Sequence, residues 1–196
     1  MRLIAVFESW HVPDGNYAPF DLRQRARLSF ELDGGELQAS AARASTFVSN
    51  DDATCEFNGV VLGRYGGLTA LEAGGFRFYV NGNEANAFEP GSWVRGIGTL
   101  ALDHYAWFEG VRSFANPPNL FFETLVVRIR KFRIPERFIH RHAEGKAMPT
   151  TVAAEDCSAD DIEDLDTMNG QAFDEEFYLL DFDVPAIADG GRSTTA

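Results

Sequence analysis

Apolar and polar positions alternate with a period of two along most of this chain, which is the period of β-strands packed on one face. In Arg2–His11, Leu3, Ala5 and Phe7 fall on one side and Ile4 and Val6 on the other, before Pro13-Asp14-Gly15-Asn16 reads as a turn. Arg27–Leu32 and Glu36–Ala41 flank Asp33-Gly34-Gly35, and Leu68–Glu72 and Phe76–Val80 flank Ala73-Gly74-Gly75. Each arrangement predicts a hairpin. Thr54–Leu62, Trp93–Leu102, Leu125–Phe132 and Glu176–Phe182 are further strand candidates. Within Leu125–Phe132 the alternation predicts Leu125, Val127 and Ile129 toward the core, with Arg128 and Arg130 together on the other face. Glycines at 34–35, 59, 63, 66–67, 74–75, 96 and 98 exclude long helices, since each interior glycine costs about 1 kcal/mol there. Short helices are predicted at Ala159–Leu165, with Ser158 and Asp161 as a capping pair, and at Glu136–Ala143 behind Pro135.

Short strands with frequent turn signals predict a mainly β protein: an antiparallel β-barrel or sandwich with one or two short helices. Residues 1–184 are expected to form one β-rich domain and residues 185–196, small and polar, a disordered tail. Phe88–Asp103 carries a Pro90-Gly91 turn and then a long strand interrupted by Gly96 and Gly98. This passage resembles a coiled strand of OB-like barrels, which implies a barrel but transfers no functional residue. Gly96-x-Gly98-x-x-Ala101 matches the dinucleotide fingerprint in letters only, because its glycines lie inside a strand pattern and not at the opening of a helix.

The length of 196 residues is enough to bury a substantial core, and 13% of it is aromatic, including 17 Phe. Net charge is −13, unevenly spread. Residues 112–146 hold 8 basic and 3 acidic groups, whereas residues 147–183 hold 12 acidic groups and no basic one. Such a surface repels double-stranded nucleic acid and anionic lipid and suits a basic protein partner. The apolar start is broken at Glu8, too early for a secretory signal, and no run approaches the ~18 residues of a membrane span. Cys55 and Cys157 form no C-x-x-C motif, so a cytoplasmic protein without a disulfide framework is expected.

Candidate chemistry is sparse. His140, His142 and Glu144 stand at i, i+2 and i+4, which on a strand would aim all three at one metal ion. The arrangement is similar to the His-x-His and Glu of cupin barrels, but cupins place the Glu farther along and add a later histidine, and no histidine follows His142. Asp164, Asp166 and Asn169-Gly170 miss the register of a calcium loop. No Ser, Cys or Thr sits in a nucleophile motif, so the chain reads as non-catalytic and no cofactor is expected. Arg128, Arg130, Arg133 and Arg137, interleaved with Phe132 and Phe138, form a basic patch, and the acidic segment around Glu155–Asp166 is expected to fold back over Arg128, Arg130 and Arg133. The leading expectation is an acidic interaction protein, in the manner of immunity or inhibitor proteins. It would meet a basic partner through Asp156, Asp160, Asp161, Glu163 and Asp164. The alternative is a β-barrel that binds a small molecule or metal ion in a mouth lined by Trp10, Tyr79, Trp93 and Trp107.

Overall fold

Cross-strand pairing satisfies most of the backbone in a computed structural model of the chain, which describes residues 1–12, 15, 17–81, 87–103, 105–133, 139–141, 147–149, 158–162 and 177–185. The elements in order are β1 (Arg2–Glu8), β2 (Arg25–Leu28), β3 (Phe30–Ala39), β4 (Thr46–Ser49), β5 (Thr54–Tyr65), β6 (Leu68–Ala73), β7 (Phe76–Asn81), β8 (Trp93–Leu102), α1 (Ala106–Gly110), β9 (Phe122–Arg133), β10 (Ile139–Arg141), β11 (Ala147–Pro149), β12 (Ser158–Ile162) and β13 (Phe177–Asp183). The protein is mainly β.

The expectation of an antiparallel sheet is corrected to a mixed one. β7 runs parallel to β3 through Glu31–Tyr79 and Leu32–Val80, and β1 parallel to β8 at Val6–Ala101. Parallel neighbours need long connections, and here β4, β5 and β6 lie between β3 and β7 in the chain. The pairings of β5 with β6, β6 with β7, β7 with β3, β3 with β8 and β8 with β5 return to their starting strand. Beyond the end of β5, β1 meets β8 and leads through β13 to β9. β9 carries β2 along Phe122–Leu125 and β12 along Ile129–Arg133.

Two glycine pairs with the same local sequence signal serve different ends in the structure. Gly74-Gly75, both with positive φ (57° and 76°), closes the β6–β7 hairpin as a two-residue turn. Asp33-Gly34-Gly35 turns nothing. β3 continues through it, and Asp33 faces Thr99 while Glu36 faces Ile97, which leaves one extra residue on β3. Gly34 supplies the positive φ of 61° that such a bulge requires.

A second bulge alters β9. Arg128 faces Asp181 but Val126 faces Phe182, so Val127 has no partner on β13 and the alternation flips across it. Val126 and Ile129 are therefore buried, while Leu125 and Val127 are only half-buried. The predicted helix Ala159–Leu165 is overturned over its first four residues, which belong to strand β12. The predicted helix Glu136–Ala143 gives way to β10 over Ile139–Arg141. An isolated helix of seven or eight residues is unstable in water, whereas strand pairing with β9 or with β11 supplies backbone hydrogen-bond partners.

Phenylalanine fills the core. Phe47 and Phe76 (4.9 Å between centroids), Phe57 and Phe78 (5.0 Å), Phe76 and Phe122 (5.1 Å) and Phe7 and Phe20 (5.2 Å) link rings from β1, β4, β5, β7 and β9 into one continuous cluster. A smaller cluster of Leu68, Ala70, Tyr79, Trp107 and Leu120 covers the other face of β6 and β7. Among the described residues no helix is long and apolar enough to cross a membrane.

Close packing of β5 on β6 depends on Gly59. A methyl group there would stand 2.7 Å from Ala73 Cβ and closer still to the Glu72 carbonyl oxygen. Gly59→Ala is accordingly expected to lower unfolding free energy by between about 1 and 3 kcal/mol in urea denaturation with an unchanged slope. A loss within experimental error would show that β5 and β6 do not approach this closely.

Candidate functional site

The strand β8 ends at Leu102, and the next residue, Asp103, is fully buried. A buried carboxylate is tolerable only when donors surround it, and four converge here. Ser29, between β2 and β3, donates its hydroxyl to Oδ2 at 2.8 Å. Tyr79 on β7 donates to Oδ1 at 2.5 Å. The backbone N–H groups of Trp107 and Phe108 reach Oδ1 at 3.2 Å and Oδ2 at 2.8 Å. These two bonds fasten the first turn of α1, which follows Tyr105 in the left-handed conformation (φ 75°). Tyr17 closes the set by donating its hydroxyl to the Asp103 carbonyl at 2.9 Å. Burial, followed by the Asp103 carboxylate, pushes the Tyr17 and Tyr79 phenols well above their usual range, so both stay protonated and act as donors.

Tyr79 also lies 2.7 Å from Glu31 Oε2, so one hydroxyl stands between two buried carboxylates. His11, buried under Phe7 and Tyr17, meets the Tyr105 hydroxyl through Nδ1 at 3.1 Å.

This junction forms one wall of a cleft of about 190 Å³. Its lining includes the rings of Tyr17, Phe20, Tyr105, Phe108 and Phe121, together with Ser29 and the β2 residues Ala26, Arg27 and Leu28. Tyr17 and Tyr105 stack at 6.3 Å, and Phe108 meets Phe121 edge-on at 6.3 Å. Phe108 is 54% exposed and stands at the rim. The Arg27 guanidinium lies 4.9 Å over the Phe121 ring. Sequence reasoning missed this site, because its parts come from residues 17–29, 79 and 103–121. The legible signal was Asp103 directly ahead of an unassigned aromatic stretch, where a carboxylate can cap a short helix.

The residues singled out from sequence fall elsewhere. Arg128 and Asp161 form a two-pronged ion pair at 2.6 and 3.1 Å, so the acidic strand β12 does lie beside the basic strand β9. The Arg128 guanidinium holds the Asp161 carboxyl below its ordinary range. Arg130 is buried and pairs with Asp181 at 2.7 Å, an acid of β13 outside the segment expected to cover it. Arg2 takes the other oxygen of Asp181 at 2.6 Å. Asp160 is exposed on β12. For Arg133 and His140 the structure gives the backbone, in β9 and β10. Asp156, Glu163, Asp164, Arg137, His142 and Glu144 lie outside the described residues. Among the described residues no three His, Cys, Asp or Glu side chains are grouped to hold a metal ion. Of the aromatics expected in a barrel mouth, Tyr79 and Trp107 are fully buried and Trp93 is half-buried beneath Arg43; the side chain of Trp10 is not described. Burial pushes the Cys55 thiol up to about 12, which leaves it protonated and unreactive at neutral pH.

Removing the carboxylate in Asp103→Ala leaves the Ser29 hydroxyl and two helix N–H groups without their acceptor. At about 1–3 kcal/mol for each buried unsatisfied group, a loss of at least about 3 kcal/mol is expected in chemical denaturation. A loss below about 1 kcal/mol would remove the junction from its central place.

Compared with protein-family models, with curated proteins and with solved structures, the chain matches none, so what the site does must be argued from its own geometry.

Proposed function

We propose that the protein is a non-catalytic binding module and that the cleft beside Asp103 is its ligand site. One observation carries the reading: five aromatic rings and a few polar side chains converge on one concavity whose walls are pinned by hydrogen bonds to a single buried residue, Ser29 and Phe108 to the Asp103 carboxylate and Tyr17 to its carbonyl. Small-molecule sites have this character, largely apolar with few fixed polar groups. Its hydroxyls are already tied into the protein, Ser29 and Tyr17 to Asp103 and Tyr105 to His11, which favours a preformed receptor over a reacting centre. The scaffold in this reading is a five-stranded barrel of OB-like kind. The cycle β5–β6–β7–β3–β8 and its antiparallel run β5–β6–β7, joined through the parallel β7–β3 pair, support it.

The volume sets the ligand's size. A cavity of about 150 Å³ accepts benzene, so 190 Å³ suits one ring with small substituents. Ligand-observed NMR with phenol, benzyl alcohol, benzylamine, benzoate and 4-hydroxybenzoate tests this. At least one is expected to bind saturably to the native protein and at least about tenfold more weakly to Ala18→Trp, which places an indole at the exposed lip of the cleft. Equal behaviour of the two proteins toward all five probes would dismiss the cleft as a binding site.

A second reading rests on the net charge of −13 and on the exposure of Asp160 and Asp161. In it the chain is an acidic interaction protein that neutralises a basic partner, as immunity and inhibitor proteins do, with β12 as part of its contact face. This reading predicts a stoichiometric basic protein captured from the host at low salt and released at about 0.5 M salt, where charge steering is screened. Capture that is indifferent to salt, or none, would count against it.

A further inference from the structure

We propose that the cleft takes a single-ring aromatic carboxylate, its carboxylate on Arg27 and a ring hydroxyl or amino group toward Tyr17 and Ser29. The inference rests on the cleft being the ligand site and adds the chemical class. It begins with the arginines that have no carboxylate partner among the described residues. Arg2, Arg64, Arg77, Arg128 and Arg130 are each paired with a carboxylate. Arg23, Arg25 and Arg27, at alternate positions on and just ahead of β2, are all exposed, and no ion pair joins any of them to a carboxylate among the described residues. Arg43, Arg95 and Arg112 likewise form no ion pair among the described residues, and of these six arginines only Arg27 lines the cleft. Glu123 is exposed directly across β9 from Arg27, yet the two form no ion pair, and Arg27 lies over Phe121 at the cleft.

Over that ring the guanidinium has a cation–π partner, while no hydrogen bond or ion pair among the described residues occupies its N–H fork. A planar fork matches a carboxylate with two parallel hydrogen bonds, and aromatic stacking restricts its motion beforehand. The overall charge of −13 opposes the approach of an anion only at long range, since interactions beyond roughly 8–10 Å are screened at physiological salt. A ligand carboxylate in contact with Arg27 lies well inside that length, so the guanidinium acts on it more directly than the distant charges do.

Two other lining residues, Tyr17 and Ser29, ask for the opposite polarity. The Tyr17 hydroxyl donates to the Asp103 carbonyl and the Ser29 hydroxyl to Asp103 Oδ2, so both hydrogens are directed into the protein. What each oxygen retains is lone pairs. A ligand is therefore matched there by a donor, a hydroxyl or amino group, and with the buried Asp103 charge close behind, a second carboxylate is excluded. The rings of Tyr105, Phe108 and Phe121 supply apolar walls to the same cleft.

Isothermal titration of 4-hydroxybenzoate into the full chain, with benzoate, phenol and benzylamine as comparisons, tests the class. The expected result is binding by 4-hydroxybenzoate, weaker binding by benzoate and phenol, and none by benzylamine. Arg27→Gln should weaken 4-hydroxybenzoate at least about tenfold, whereas Arg25→Gln, which carries the same charge change outside the cleft lining, should alter it less than about twofold. Both positions are exposed, so neither variant threatens folding. Absence of 4-hydroxybenzoate binding, or equal sensitivity to the two substitutions, overturns the proposed class. If phenol or benzylamine then binds in a manner that Ala18→Trp abolishes, the cleft remains a site for another ligand; if no probe binds, the cleft reading falls as well.

Discussion

The buried carboxylate of Asp103 is the constraint on which the arrangement of the surrounding segments depends. A charge without water must be met by donors from the chain, and those that meet it come from β7, from α1 and from the residue between β2 and β3. None of these segments is next to another in the sequence. Their convergence sets where α1 begins and, through Tyr17 on the Asp103 carbonyl, where the segment before β2 lies. The cleft is the space left between elements fastened at this one point.

Ser29 shows how economically the junction is made. Before it, β2 pairs with β9; after it, β3 pairs with β8. The Ser29 carbonyl accepts the Asp103 N–H at 3.1 Å while its hydroxyl reaches the Asp103 carboxylate, so one residue holds the crossing from both backbone and side chain. Because β2 ends there, Arg27 stands beside the aromatic wall formed by Phe108 of α1 and Phe121, and a charged edge and an apolar cleft become neighbours.

A second buried carboxylate obeys the same rule by other means. Asp181 on β13 faces away from the phenylalanine core, beside Ile4, Ala53 and Leu179, and is neutralised by two guanidinium groups in place of neutral donors. Arg130 spans from it to the Asp51 carbonyl at 2.9 Å and so ties the β4–β5 turn onto the far side of the sheet. Losing one partner of such a buried pair leaves an uncompensated charge. The exposed pair Arg128–Asp161 beside it is screened by water and contributes far less. Two arginines two residues apart on one strand thus have different roles, decided by what covers each.

Periodicity alone determined that the chain is built of strands, that Leu3, Ala5 and Phe7 share one side of β1, and that Gly74-Gly75 makes a hairpin, because these follow from contacts between near neighbours in the chain. The same local logic failed at Asp33-Gly34-Gly35 and at Val127, where the residues suit a turn or a regular strand and only the partner strand's register makes each a bulge. It failed at Ser158–Ile162, where helix capping is a weak preference beside the open edge of β9. For the site, the sequence by itself supplied Asp103 and the aromatics without any relation among them. Which donors meet that carboxylate, and which arginines are left without acids, was decided by tertiary structure. Burial sets the energy of a charge, and burial is a property of the whole fold.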